Sequence, residues 1–257
     1  MVENMAKKHK IGEANGFLGK NALVTGSAKR IGRATLLALA REGCNVGVHY
    51  LRSKKEALDV KKEAKSLGVK AEVFKADVRK PLECKRLIKE FVTEFGRLDI
   101  LVNNVGNFIR KPLNEFEPAE WDEMIDSNLN CSYYCSKYAL EAMRRQKGLG
   151  GERGNIINIS MAGCENVQAN TTTTAYQIAK TGILVLTRTM ALMEAPNGIR
   201  VNAVSPGILG DSVVKHPVPM KRLGTGEDVA NAIVFLVSGK AKYITGANLS
   251  VSGGYKL

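Results

Sequence analysis

Apolar positions along the chain follow two alternating rhythms. Short runs at Ala22–Val24, Asn45–His49, Ala71–Ala76, Leu98–Val102, Asn155–Ile159, Arg200–Val204 and Ala247–Val251 read as strands. Between them, apolar residues recur three and four apart, which predicts helices over Ile31–Glu42, Lys54–Leu67, a stretch opened by Pro81, Glu120–Arg145, Ala175–Glu194 and Glu227–Val237. In the Pro81 helix, Leu87, Ile88, Phe91, Val92 and Phe95 form one stripe. The punctuation agrees: Gly43 and Gly68 fall where helix C-caps belong, and Pro81 suits a first helical turn. Strand–helix repetition of this pitch predicts βαβ units. The fold class is therefore α/β, a parallel sheet with helices on both faces in a single domain.

At 257 residues the chain holds one large domain more comfortably than two. No apolar run approaches the roughly 18 residues of a membrane span; Ile183–Leu186 and Ala232–Val237 are core-sized. Residues 1–17 are polar, carry Lys7, Lys8, His9 and Lys10, and contain no signal-peptide-like apolar stretch. They are expected to form a basic flexible arm, with 18–257 as the folded domain and the cytoplasm as its compartment. The five cysteines, an odd number in a chain that needs no staples, suggest reduced thiols. Cys131 and Cys135 lie four apart on a predicted helix, but without a histidine cluster core packing is the expectation, and no metal site is assigned. The net charge of +13 favours anions such as a phosphorylated cofactor, an acidic substrate or nucleic acid. No nucleic-acid-binding motif accompanies it.

Open parallel sheets bind ligands beyond the carboxyl ends of their strands. The first strand ends in Thr25-Gly26-Ser27-Ala28-Lys29-Arg30-Ile31-Gly32. Glycines let a backbone approach a pyrophosphate, and the following helix N-terminus favours its charge. Gly26, Lys29, Arg30, Ile31 and Gly32 are candidate cofactor contacts. After the second strand, where an NAD site places a carboxylate on the ribose, the chain reads His49-Tyr50-Leu51-Arg52-Ser53 with no acid. Arg52 can grip a 2′-phosphate and Ser53 can donate to it, so Tyr50, Arg52 and Ser53 point to NADP(H) rather than NAD.

Tyr176 and Lys180 are four apart on a predicted helix and share a face. A free tyrosine, with a pKa of about 10, is a poor proton donor near neutrality. A lysine ammonium one turn away is expected to lower that value and to make the phenol an acid for carbonyl reduction.

The order Thr25-Gly26…Gly32, Asp77-Val78, Asn103-Asn104-Val105-Gly106, Asn128, Ile156–Ser160, Tyr176…Lys180, Ser205-Pro206-Gly207 and Gly253-Gly254 resembles the short-chain dehydrogenase/reductase family from about Gly19 to Leu257. That resemblance implies a doubly wound, Rossmann-type sheet and an NADPH-dependent oxidoreductase. It places Asp77 and Val78 at the adenine, Asn104 and Gly106 beside the fourth strand, and Pro206, Gly207 and Ile208 at the nicotinamide. It assigns a proton relay to Asn128 through a water and Lys180, and ribose binding to Lys180. The family's carbonyl-polarising serine falls on Ser160 or, aligned from the strand, on Met161; Ser160 is the expectation. Homotetramers or homodimers are usual for the family.

Within the family the chain stands between two groups. Arg30-Ile31-Gly32, the His49–Ser53 run and the tail Lys240–Gly246 are similar to the pteridine reductases, in which Arg30 would reach the pterin and Phe108 would stack on it. Those enzymes have an aspartate where this chain has Ser160-Met161. The tail from Arg222-Leu223-Gly224 is similar to 3-oxoacyl-acyl-carrier-protein reductases. The expectation is an NADPH-dependent reductase of a small carbonyl substrate, with pterin reduction as the alternative and a non-catalytic NADPH-binding sensor as the alternative of another class.

Overall fold

The computed structural model describes residues 17–212 and 216–256. Strands and helices alternate as β1 (Asn21–Val24), α1 (Arg30–Arg41), β2 (Asn45–Tyr50), α2 (Lys54–Ser66), β3 (Ala71–Lys75), α3 (Pro81–Phe95), β4 (Ile100–Asn103), α4 (Pro118–Ile125), α5 (Cys131–Arg145), β5 (Gly154–Ile159), α6 (Thr174–Glu194), β6 (Ile199–Pro206), α7 (Gly226–Val237) and β7 (Asn248–Val251). These strands form one sheet in the order β3-β2-β1-β4-β5-β6-β7, and every neighbouring pair is parallel. The strand order reverses between β1 and β4, which opens a crevice at their carboxyl ends.

Both faces of the sheet are covered, which is why its strands are apolar throughout. Ala22, Val24, Val46, Val48, Ile100, Val102, Ile157 and Ile159 share one core with Leu36 and Leu39 of α1, Val60 of α2 and Ile233 of α7. The alternate positions Leu23, Leu101, Ile156 and Val201 share the other with Leu87 and Phe91 of α3, Ala139 and Met143 of α5, and Met190 of α6. Full burial of each large aliphatic or aromatic side chain contributes roughly 1.5–3 kcal/mol. Gly47 has a packing role: a Cβ there would lie 2.6 Å from the Phe91 ring, so glycine lets α3 sit close to β2.

Two expectations change. Phe17, assigned to the arm, is fully buried in the first core, so the folded domain includes it; residues 1–16 lie outside the described residues. The long helix expected from Glu120 to Arg145 is interrupted by a π-helical turn over Asp126–Asn130, which shifts the phase of its faces at Asn128. All five cysteines are buried and none forms a disulfide. Among the described residues no helix is long and apolar enough to cross a membrane.

Candidate active site

Two adjoining cavities, of about 560 and 510 Å³, occupy the crevice. Between them they are lined by every candidate residue from the sequence except Gly32, which packs just behind the wall.

The turn after β1 is held from beneath. Thr25 Oγ1 accepts the Asn104 N–H at 2.9 Å, and Asn104 Nδ2 donates to the Thr25 carbonyl at 3.0 Å. The Asn104 side chain therefore fixes the turn while its residue lines the cavity. A Cβ on Gly32 would collide with the Gly26 carbonyl oxygen and lie 2.6 Å from Asn104 Nδ2. Glycine at 32 is thus required for the start of α1 to close on the turn. Ahead of it, Arg30 adopts φ +52°, a left-handed conformation uncommon outside glycine, and its Nε reaches Asp211 Oδ2 at 2.5 Å. The first amides of α1 have no intrahelical acceptors, and Arg30 and Ile31 at its start line the first cavity.

The second cavity is lined by Lys29, Tyr50, Arg52, Ser53, Asp77 and Val78. Lys29 is engaged with Glu56 at 2.7 Å. Ser53 caps α2 without a side-chain bond, and Arg52 makes no ion pair among the described residues. Arg79, which the sequence reading passed over, chelates Asp77 (2.9 and 2.8 Å) and reaches Glu123 at 2.6 Å. That guanidinium holds the Asp77 carboxyl below the ordinary carboxylate range.

At the far end of the first cavity α6 presents Tyr176 and Lys180 on one face. Lys180 is buried; its Nζ donates to the Ile159 carbonyl at 2.9 Å and sits 5.4 Å from the centre of the Tyr176 ring. Burial pushes the Lys180 ammonium down to about 8. Burial also pushes the Tyr176 phenol up to about 12, opposed weakly by Arg30. The expected lowering of the phenol by its neighbour is therefore absent in the free protein: the ammonium is aimed at a backbone carbonyl, and desolvation of the phenolate outweighs it. Phe108 meets Tyr176 edge to face, with ring centres 5.0 Å apart and planes at 84°.

Asn128 is brought to the same place by the π turn. Its Nδ2 donates to the carbonyls of Asn107 and Met124, both at 3.0 Å. Its Oδ1 is buried without a partner among the described residues and faces Gly106, where a Cβ would collide with it. Pro206, Gly207 and Ile208 form the opposite wall. Beneath lies a buried polar cluster: Asn103 Nδ2 donates to Asn158 Oδ1 and Ser136 Oγ, each at 2.8 Å, and Asn158 Nδ2 donates to Thr187 Oγ1 at 2.9 Å. This cluster joins β4 and β5 to α5 through Ser136 and to α6, the helix that carries Tyr176 and Lys180, through Thr187.

Ser160 and Met161 both line the cavity. The Ser160 hydroxyl, however, donates to the Lys180 carbonyl at 2.8 Å and lies 3.1 Å from Cys164 Sγ. A hydroxyl has one proton, so this arrangement leaves none for a substrate oxygen. The wall also contains Arg110 and Lys256, neither singled out from the sequence. Cavity lining by a residue this far along the chain has no local sequence signal.

A glycine turn feeding a helix N-terminus, set where the strand order reverses, defines a dinucleotide-binding α/β protein. A family profile described as enoyl-(acyl carrier protein) reductase matches residues 26–256. The 3-oxoacyl-[acyl-carrier-protein] reductase FabG of Staphylococcus epidermidis is 39% identical over 249 residues, which cover 92% of this chain and 99% of that protein. A short-chain dehydrogenase from Burkholderia cenocepacia in complex with NADP superposes with a TM-score of 0.84 at 28% identity, covering 93% of this chain and 98% of the other. A blue fluorescent protein from a metagenomic library, in complex with NADPH, superposes at 0.85 with 27% identity, covering 93% and 99%. The chain belongs to the short-chain dehydrogenase/reductase family of oxidoreductases.

Proposed function

We propose that the chain is an NADPH-dependent reductase of 3-oxoacyl-type carbonyl substrates, with Tyr176 as the acid. The observation that carries this reading is the placement of Tyr176, Lys180 and Asn128 at one end of a cleft whose other end offers Arg52 and Ser53. The residues fit the dinucleotide: the start of α1 suits its pyrophosphate, Asp77 and Val78 its adenine, and Pro206–Ile208 its nicotinamide. Arg52, Ser53 and Lys29 suit a 2′-phosphate, which a carboxylate would repel. When bound, the reduced nicotinamide supplies the hydride.

The remaining chemistry belongs to this chain. The Tyr176 hydroxyl donates its proton to the carbonyl oxygen as negative charge develops there. The Lys180 ammonium stabilises the phenolate left behind, and the unpaired Asn128 Oδ1 is placed to hold a water that returns a proton to the site. Ser160 acts beneath, fixing the turn of α6 that bears Lys180. Arg110 and Lys256 line the cavity without ion-pair partners among the described residues and suit a substrate that carries negative charge away from its carbonyl. The 3-oxoacyl assignment is supported by the relatives at 39% identity.

A pterin-type substrate is the second reading, favoured by Arg30 and Phe108 in the same cavity. Assembly as a homotetramer or homodimer is supported by Ile178, Val185 and Leu192, spaced seven apart on α6 and 47%, 61% and 81% exposed. Steady oxidation of NADPH with a panel of 3-oxoacyl thioesters and pterins tests the proposal. Turnover with the thioesters is expected; turnover with pterins alone would favour the second reading, and NADPH binding without turnover would make the protein a sensor.

A further inference from the structure

His49 lies in β2, is 2% exposed, and has no part in the chemistry above. Both ring nitrogens are bonded. The Gly26 N–H donates to Nδ1 at 2.9 Å, and Nε2 lies 3.0 Å from the Ala76 carbonyl oxygen. A carbonyl oxygen can only accept, so Nε2 carries the proton and Nδ1 offers its lone pair. Only the neutral imidazole, in that one tautomer, satisfies both neighbours. Burial maintains this state by pushing the ring's pKa down to about 4.

The backbone completes the clasp. The Ser27 N–H donates to the His49 carbonyl at 3.0 Å, and the His49 N–H donates to Ser27 Oγ at 3.0 Å. The turn after β1 is thereby tied to the ends of β2 and β3 through a single residue. The N–H groups of both Gly26 and Ser27 are thus engaged by His49.

We propose that His49 is a positioning residue for the dinucleotide: by holding Gly26 and Ser27 it sets the angle at which the first amides of α1 meet the pyrophosphate. This rests on the reading of the crevice as an NADPH site. The imidazole touches neither Tyr176 nor Lys180, so its contribution falls on affinity and not on the chemical step. The requirement is for an acceptor at the Nδ1 position rather than for a ring. Asparagine can place its Oδ1 near that point; phenylalanine fills the space and accepts nothing.

The test is titration of NADPH, followed by its fluorescence, on the wild type, H49N and H49F, together with kcat at saturating NADPH. H49F is expected to weaken binding at least tenfold and to keep kcat within threefold, while H49N recovers most of the affinity. Equal affinities for H49F and wild type would overturn the proposal, as would an H49N as weak as H49F when both melt like wild type. If H49F does not fold, S27A decides: it removes the acceptor of the His49 N–H, and a threefold or greater loss of affinity with kcat held is expected. An unchanged affinity for S27A would overturn the clasp. A wild type that does not bind NADPH would overturn both this inference and the proposed function, whereas tight wild-type binding that ignores His49 removes this inference alone.

Discussion

Ser160 Oγ lies 2.8 Å from the main-chain carbonyl oxygen of Lys180, one helical turn beyond Tyr176. The bond joins the end of β5 to the helix that carries Tyr176 and Lys180. It also occupies the only proton of the serine that sequence comparison would assign to the substrate carbonyl.

This relationship separates two roles for Ser160. As a positioning residue, S160A should lower kcat for carbonyl reduction by less than about tenfold; loss of an oxyanion donor costs roughly 10²–10³-fold. M161S, which adds a hydroxyl at the cavity wall, is expected to raise kcat about tenfold, a fraction of that range. A collapse of S160A with no gain in M161S would return the donor role to Ser160.

Tyr176 should be indispensable to turnover and dispensable to cofactor binding. Y176F is expected to lower kcat by roughly 10²–10⁴-fold, the usual contribution of a positioned acid. NADPH affinity, measured by fluorescence, should stay within twofold. Reduction at the wild-type rate in Y176F would refute the assignment.

Lys180, brought down to about 8 by burial, titrates within the working range, while Tyr176 at about 12 does not. The ammonium is the useful form, and it is lost as pH rises through about 8. kcat/KM for NADPH, which reports groups of the free enzyme, should be level below that pH and fall above it, approaching about tenfold per pH unit. K180M should lack this limb. Its persistence in K180M would assign it to another group.

Arg52 should set the cofactor preference. Hydrogen bonds to charged groups contribute about 1.5–3 kcal/mol, so R52E is expected to raise the Kd for NADPH roughly 10–100-fold. The Kd for NADH should change little. Parallel losses for both cofactors would mean that Arg52 acts on folding or on the adenosine instead of the 2′-phosphate.

The polar cluster under the site should matter to stability. N103L removes donors to Asn158 Oδ1 and Ser136 Oγ, leaving two buried acceptors unpaired. At about 1–3 kcal/mol for each unsatisfied group, a loss of roughly 2–6 kcal/mol is expected from urea unfolding. An unchanged midpoint would show that neighbouring groups repair the gap.

Most of the fold was legible because its signals are local. The expected strand Asn155–Ile159 is observed as Gly154–Ile159, and the expected helix Ala175–Glu194 as Thr174–Glu194. Apolar period and glycine punctuation fix such elements within a residue or two. The π turn at Asp126–Asn130 escaped notice because one extra residue per turn leaves no mark in composition. At the site, spacing brought Tyr176 and Lys180 to one face, since a helix guarantees it. It could not reveal where the Lys180 ammonium points, which depends on the Ile159 carbonyl at the end of β5. Arg79 and His49 were passed over for a related reason. Each acts through a partner distant in the chain, 27 residues away for His49 and Ala76, 44 for Arg79 and Glu123.

The parallel sheet gives the molecule a working rim and an idle one. Every segment that meets the two cavities leaves a strand at its carboxyl end or follows from such a segment, whereas the turn at Gly150-Gly151 leads into the start of β5 on the other side. A side chain at Gly150 would meet nothing within 4 Å. A tether or a fused partner attached there would leave hydride chemistry undisturbed, so the protein can be held by one edge while it turns over at the other.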